Sequence, residues 1–182
     1  MSQATTATEL VAGTWTIDPV HSEVGFTVRH LMSKVRGSFT DFSGEIVTTT
    51  DPLESTVSVA IKSASITTRN EQRDGHLRSA DFFDPAKGGE LTFVSTAVSE
   101  SADGYVITGD LTINGITRSV DLAAEFLGVG ANAYGGVLLG AEASTTINRS
   151  DYGVSFNIPL DGGKFVIGDK VDVSLTIEAT KV

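Results

Sequence analysis

The stretch Val171-Asp-Val-Ser-Leu-Thr-Ile-Glu178 decides the fold class, because it alternates strictly between apolar and polar residues. In an extended chain, successive side chains point to opposite faces, so the odd-numbered residues share one face and the even-numbered residues share the other. An apolar face opposite a polar face is typical of a strand that covers a core on one side and meets water on the other. The stretch therefore predicts a half-buried strand of an antiparallel sheet.

Other segments repeat this alternation at short spacing. The clearest of them are 22–30, 56–62, 105–113 and 120–126. Between strands, Asp103-Gly104 and Asn114-Gly115 predict tight hairpins, and Asp18-Pro19 and Asp51-Pro52 predict type I turns. About eight short strands without a long helical pattern are typical of a barrel or a sandwich. We therefore expect an all-β fold.

Three segments depart from the alternation. Residues 69–81 are long and polar, and Asn70 is a suitable N-cap, so we expect a short helical insertion there. Residues 31–35 predict a single helical turn. Residues 1–12 are polar and aperiodic, which predicts a mobile N-terminal tail before one domain over residues 13–182.

Composition excludes several classes of function. The 182 residues are 40% hydrophobic, which is enough for one sizeable core and favours one domain. The net charge of −10 repels phosphate backbones and anionic lipid surfaces, which argues against general binding of nucleic acid, although a small basic patch can exist within an acidic chain. The chain has no cysteine, which excludes thiol nucleophiles, disulfides and thiolate metal sites.

Targeting signals are not evident in the sequence. Residues 1–10 have no basic start and no apolar run, so we expect no secretory signal and a cytoplasmic location. No run approaches 18 apolar residues, so we expect no stable membrane insertion.

The three histidines, His21, His30 and His76, give weak signals for catalysis or metal binding. Their spacing contains no H-x-x-x-H or H-x-H pair, so we expect no metal, and we expect His21 to close the turn after Asp18-Pro19 by a hydrogen bond. The nucleophile-elbow and phosphate-loop motifs are both missing, so we expect no cofactor and no enzyme. An enzyme that acts on a hydrophobic substrate through His30 or His76 stays an alternative, as does a closed-barrel interaction module without ligand.

His30 has the same parity as the apolar residues Val24, Phe26 and Val28, which places it on the inner face of its strand. A buried imidazole needs a hydrogen-bond partner. His30 is therefore either a satisfied core histidine or a polar contact inside a ligand cavity.

Arg73 and Arg78 belong to the main concentration of positive charge in the first half of the chain. Neighbouring acids such as Asp74 and Asp81 dilute that charge, which is typical of a solvated face. The alternative is a site for an anionic head group, because arginine pairs well with phosphate.

A series of motifs covers residues 13–180 in order. They are Trp15–Ser22, Val24–His30, Val35–Phe39, Phe42–Gly44, Arg73–Asp84, Gly109–Thr117, Asn148–Gly153 and Ile167–Val171. Together they resemble the YceI-like family of lipocalin-like, polyisoprenoid-binding proteins. The sequence departs from the family at Lys87–Glu90, where members often carry a proline, which alters a loop and leaves the expected fold unchanged.

The resemblance implies a single eight-stranded antiparallel lipocalin-like barrel, often a homodimer. Its apolar lumen would hold a polyisoprenoid, an isoprenoid quinone or a fatty-chain lipid, for carriage or storage. Small inward residues such as Ala141 and Ala143 would leave volume for that chain.

Parity and the resemblance together give candidate site residues. We expect the lumen to be lined by Val24, Phe26, Val28, Phe39, Phe42, Val59, Ile61, Phe93, Ile107, Leu111 and Phe126. We expect His30 and His76 to be the polar contacts, and Arg73 and Arg78 to bind a phosphate or to pair with aspartates.

Overall fold

The computed structural model describes residues 10–182. Its strands are β1 (Gly13–Ile17), β2 (Glu23–His30), β3 (Ser33–Phe39), β4 (Phe42–Thr48), β5 (Thr56–Lys62), β6 (Ile66–Thr67), β7 (Glu90–Ser101), β8 (Gly104–Ile113), β9 (Ile116–Ala131), β10 (Val137–Asn148) and β11 (Ile167–Lys181). The α-helix is α1 (Glu71–Leu77), and the 3₁₀ turns are Pro52–Glu54, Ser63–Ser65, Pro85–Lys87 and Arg149–Tyr152.

The strands close into a barrel. The order β1-β4-β5-β7-β8-β9-β10-β11 returns to its start, because β1 also pairs with β11. Strand β11 pairs with β10 along one edge and with both β1 and β2 along the other. Strands β1 and β2 are thus two segments of one barrel strand, and the same holds for β3 with β4 and for β5 with β6. The predicted eight-stranded antiparallel barrel is confirmed.

The N-terminal boundary lies close to the first strand. Residues 1–9 of the predicted tail lie outside the described residues. Leu10 packs against the core, and the carbonyl of Val11 accepts a hydrogen bond from Thr48 Oγ1 at 2.6 Å. The last part of the predicted tail therefore contacts the barrel.

One end of the barrel is filled by side chains. Trp15 is fully buried, and its Nε1 donates to Thr48 Oγ1 at 2.8 Å. Leu139 and Ala179 are buried beside it on β10 and β11, whose residues pair directly here. We call this the closed end.

The opposite end carries the helical insertion. Helix α1 falls within the predicted insertion, and Asn70 Oδ1 caps it by accepting from the backbone N–H of Arg73 at 2.9 Å. Burial opposes ionisation of Asp74, but hydrogen bonds from the Thr68 side chain and backbone outweigh it and lower the Asp74 pKa. These bonds fix α1 against the end of β6.

The helical turn predicted over residues 31–35 is wrong. β3 already begins at Ser33, and His30 pairs with Ser33 across a two-residue hairpin turn formed by Leu31 and Met32. A single helical turn is marginal alone, whereas the hairpin continues the ladder between β2 and β3. The pairing of β2 with β3 therefore determines the conformation of residues 31–35.

Candidate functional site

A cavity of about 430 Å³ lies inside the barrel, and its lining is almost wholly apolar. This volume falls within the range of ligand sites. Trp15, Leu139 and Ala179 fill the closed end, and the cavity extends instead to the end that carries α1. We call that second end the mouth.

Most of the residues predicted for the lumen lie on the cavity wall. They are Val24, Phe26, Val28, His30, Phe39, Phe42, Val59, Ile61, His76, Phe93 and Leu111, together with Arg73. Ala141 and Ala143 also line the cavity, as their small size and inward parity predict. Phe82 and Phe83, which follow α1, line it too, so the aromatic pair covers the mouth as well as packing against the barrel.

Ile107 and Phe126 do not line the cavity, although their parity is inward. Phe126 packs against the core, and Ile107 is half-buried on β8 opposite Leu122. On β8 the cavity wall is formed by Leu111 and Ile113, which lie farther along the strand. Parity gives the face on which a side chain lies, but not its depth along the barrel axis.

Polar side chains are few in the cavity and gather mainly at the mouth. They are His30, Thr68, Arg73, His76, Thr145, Arg149 and Tyr152, the last of which is polar through its hydroxyl. Arg73 Nε donates to Thr68 Oγ1 at 2.7 Å, and its Nη2 donates to the carbonyl of Thr68 at 3.0 Å. These bonds hold a guanidinium at the mouth.

Of the two roles predicted for Arg78, its position fits a fold-stabilising contact near Asp74 better than a contact with a head group. Its Nε donates to the carbonyl of Ala64 at 2.8 Å, and its Nη2 donates to the carbonyl of Ile66 at 2.9 Å. Arg78 is not part of the cavity lining, and its bonds join the end of α1 to the start of β6. Its role in the described chain is therefore to fasten the insertion.

His76 is oriented by an acid and two rings. Its Nε2 lies 2.8 Å from Asp81 Oδ2. Its ring meets Phe82 and Phe156 edge-on, with centroids 5.0 Å and 4.8 Å away. These contacts place the imidazole at the mouth among aromatic side chains.

Arg149 is a buried residue of the cavity wall that the sequence reasoning missed. Its Nη1 donates to the carbonyls of Val154 at 2.7 Å and Phe156 at 2.9 Å, and its Nε donates to the carbonyl of Gly168 at 2.8 Å. Burial lowers the pKa of the guanidinium, and the charge of Asp169 opposes that shift. The signal was parity, because Arg149 continues the odd-numbered inward face of β10.

A second polar group lies where β1 gives way to β2, away from the cavity lining. One carboxylate oxygen each of Asp18 and Glu178 and one ring nitrogen of His21 all lie within 4.8 Å of one another. His21 Nδ1 is 2.7 Å from Asp18 Oδ2, which confirms the predicted turn-closing hydrogen bond. That bond is the main cause of the raised His21 pKa and of the lowered Asp18 pKa.

Replacing Asp18 by asparagine should bring the His21 pKa back toward its ordinary 6.5. Because the His21 pKa is raised and the Asp18 pKa is lowered, the pair stabilises the fold fully between pH 3.8 and pH 6.5. This contribution is lost as the pH rises through the folded pKa of His21, and it is also lost as the pH falls through the folded pKa of Asp18. A titration of the His21 ring protons by NMR measures the shift. Glu178→Gln is the matched control and should lower the pKa less, since the Glu178 carboxylate lies 3.9 Å away. An unchanged pKa in Asp18→Asn would contradict the assignment.

Within residues 10–182, helices are too short and too polar for any of them to cross a bilayer.

Comparison with known proteins places the chain in a family. A model of the YceI-like domain matches residues 15–179. A UPF0312 protein of Photorhabdus laumondii is 40% identical over 163 residues, which cover 88% of this chain and 82% of that protein. The crystal structure of a YCEI protein from Campylobacter jejuni has a TM-score of 0.69 and 32% identity, covering 85% of this chain and 90% of that chain.

A structure with lower identity has the same fold. It is a polyisoprenoid binding domain from Saccharophagus degradans, implicated in plant cell wall breakdown, with a TM-score of 0.69 and 15% identity. The likeness covers 94% of this chain and 100% of that one. The family match spans nearly all of the barrel, and the chain therefore belongs to the YceI-like domain family.

Proposed function

We propose that the protein binds one long-chain lipid of the isoprenoid type in the barrel cavity and carries or stores it. The observation that carries this proposal is the apolar cavity of about 430 Å³ inside the barrel. Trp15 and its neighbours fill the barrel at the closed end, and the cavity reaches the mouth at the other end. Such a shape suits a slender chain that enters end-first. An isoprenoid quinone or a fatty chain would use the same wall.

The apolar lining explains how such a ligand gains affinity without many specific contacts. Each methylene group removed from water contributes about 0.8 kcal/mol. Polar ligands would lose their hydration against this wall and recover few hydrogen bonds. The lining therefore selects for hydrocarbon.

The polar end of the lipid would lie at the mouth. Arg73, His30 and His76 are among the polar groups that line the cavity there, and Arg73 is held in place by Thr68. A guanidinium suits a phosphate or another anionic group. The name of the Saccharophagus degradans domain supports an isoprenoid as the chain.

We infer a binding protein in preference to an enzyme, and this inference rests on the family and on that neighbour. The cytoplasmic location stays a prediction from the sequence, and the homodimer stays a prediction from the family resemblance. Light scattering on the purified chain measures the second of them.

The direct test is to analyse the lipid that accompanies the purified protein. An organic extract examined by mass spectrometry should contain a long-chain lipid at about one molecule per chain. After the lipid is stripped, the protein should take up a prenyl alcohol delivered from cyclodextrin, and a prenyl phosphate should bind more tightly because Arg73 lies at the mouth. A clean extract together with no uptake of either probe would refute the proposal.

A further inference from the structure

Two turns at the mouth expose apolar side chains. Met32, in the β2–β3 turn, is 97% exposed, and Phe165, in the loop before β11, is 59% exposed. Leu31, which precedes Met32, is also exposed, and so are Ile158 and Leu160 in the loop that contains Phe165. Single exposed apolar residues are ordinary, but a contiguous group of them marks an interaction site. We call these five residues the rim.

Backbone hydrogen bonds bring the two turns together. The N–H of Leu31 donates to the carbonyl of Val166 at 2.8 Å, and the N–H of Val166 donates to the carbonyl of Ile158 at 3.1 Å. The N–H of Leu160 donates to the carbonyl of Lys164 at 2.7 Å, which closes the second turn. Ile158 and Val166 also line the cavity. The rim is therefore continuous with the mouth.

The backbone conformation of Leu31 does not favour a leucine at this position of the turn. Its φ is 52°, in the left-handed region where glycine and asparagine are favoured in a tight turn. A leucine there adds backbone strain, and its side chain remains about half exposed. Residues that break a local rule in this way are concentrated at functional surfaces.

Charge beside the rim has the opposite sign to that of the whole chain. Residues 24–40 contain Arg29, Lys34 and Arg36 and no acidic residue, although the net charge is −10. Lys164 precedes Phe165 in the second turn, and the nearby acids Asp161 and Asp169 are accompanied by Lys170 at the start of β11. Cations next to exposed apolar side chains match the surface of an anionic bilayer.

We propose that the rim docks on the surface of an anionic lipid bilayer, with the mouth facing the bilayer. Met32 and Phe165 enter the interface, and Arg29, Lys34, Arg36 and Lys164 face the lipid head groups. A second copy of the chain fits the rim less well, because a two-fold contact would set the same cations against each other. The part of this inference that concerns lipid transfer rests on the proposed function, and docking itself does not.

The test is co-flotation with vesicles of phosphatidylcholine and phosphatidylglycerol. The double variant Met32→Ser with Phe165→Ser should lower the vesicle-bound to free ratio by at least about tenfold, because two apolar side chains no longer enter the interface. Tyr134→Ser is the matched control, since Tyr134 is 96% exposed in the β9–β10 loop near the closed end. The control should float like the wild type. Vesicles of phosphatidylcholine alone should bind the wild type more weakly.

Two results of the flotation would overturn the proposal: a wild type that binds neither kind of vesicle, or a double variant that floats like the wild type. A third is a wild type that forms a dimer through the rim without binding vesicles, with the double variant losing the dimer. Uptake of a prenyl alcohol from cyclodextrin, without vesicles, measures the cavity alone. The double variant should keep that uptake. Failure of docking is thereby distinguished from failure of lipid binding.

Discussion

Replacing Arg149 by leucine should lower the free energy of unfolding by about 3–5 kcal/mol. The guanidinium satisfies the carbonyls of Val154, Phe156 and Gly168, and a leucine side chain would leave them buried without that donor. Denaturant unfolding measures the change. Trp15 is the single tryptophan of the chain and is fully buried, so its fluorescence reports the global transition.

The matched control is Arg36→Leu, which removes the same charge from an exposed position on β3. Surface substitutions of this kind change stability by about 0.5 kcal/mol or less. Equal stability losses in the two variants would show that Arg149 acts only through its charge. A loss of less than about 1 kcal/mol in Arg149→Leu would contradict the role assigned to its hydrogen bonds.

The position of Arg149 explains why the effect should be large. It joins the 3₁₀ turn that follows β10 to the segment before β11 and to the start of β11 itself. These parts form one side of the mouth, where regular ladder bonds are fewer than in the barrel wall. Here the hydrogen bonds from the Arg149 guanidinium hold the segments together in place of backbone hydrogen bonds between strands.

The fold could be predicted because the period of two persists along the strands. From Ala141 to Ile147 on β10 and from Val171 to Ile177 on β11, the odd-numbered residues line the cavity, as the alternation over Val171–Glu178 predicts. The breaks inside the long barrel strands were less evident. Asp18-Pro19 predicted the break between β1 and β2, but nothing in the sequence showed that β2 would continue the same barrel strand. That continuity comes from pairing with β11, which is a long-range contact.

The site was predicted less completely, and the reasons are physical. Ile107 and Phe126 have inward parity, yet the depth of the cavity depends on which side chains pack together along the axis. Arg78 was predicted to bind a phosphate or to pair with an aspartate because its charge was visible, whereas its carbonyl partners belong to another element. Arg149 was passed over although parity placed it inside, since a buried cation is costly unless a fold supplies partners that a sequence does not display.

Replacing Ala143 by phenylalanine should weaken lipid binding on the order of a hundredfold while leaving the fold stable. Ala143 lines the cavity from β10, opposite Ala124 and Leu175 in the ladder. A ring at this position would occupy the space of several methylene groups of the ligand, each worth about 0.8 kcal/mol. Titration of the stripped protein with a fluorescent prenyl alcohol gives the affinity, and denaturant unfolding gives the stability.

Ala123→Phe is the matched control, because Ala123 is exposed on the outer face of β9 and pairs with Ser144, next to Ala143. It adds the same ring outside the barrel and should leave the affinity unchanged. If the barrel were filled by side chains in its working state, Ala143→Phe would instead overpack it and cost about 1–3 kcal/mol of stability. A destabilised variant that binds as tightly as the wild type would remove the cavity from the mechanism. A stable Ala143→Phe variant that no longer binds the prenyl alcohol would support the cavity as the place where the hydrocarbon lies.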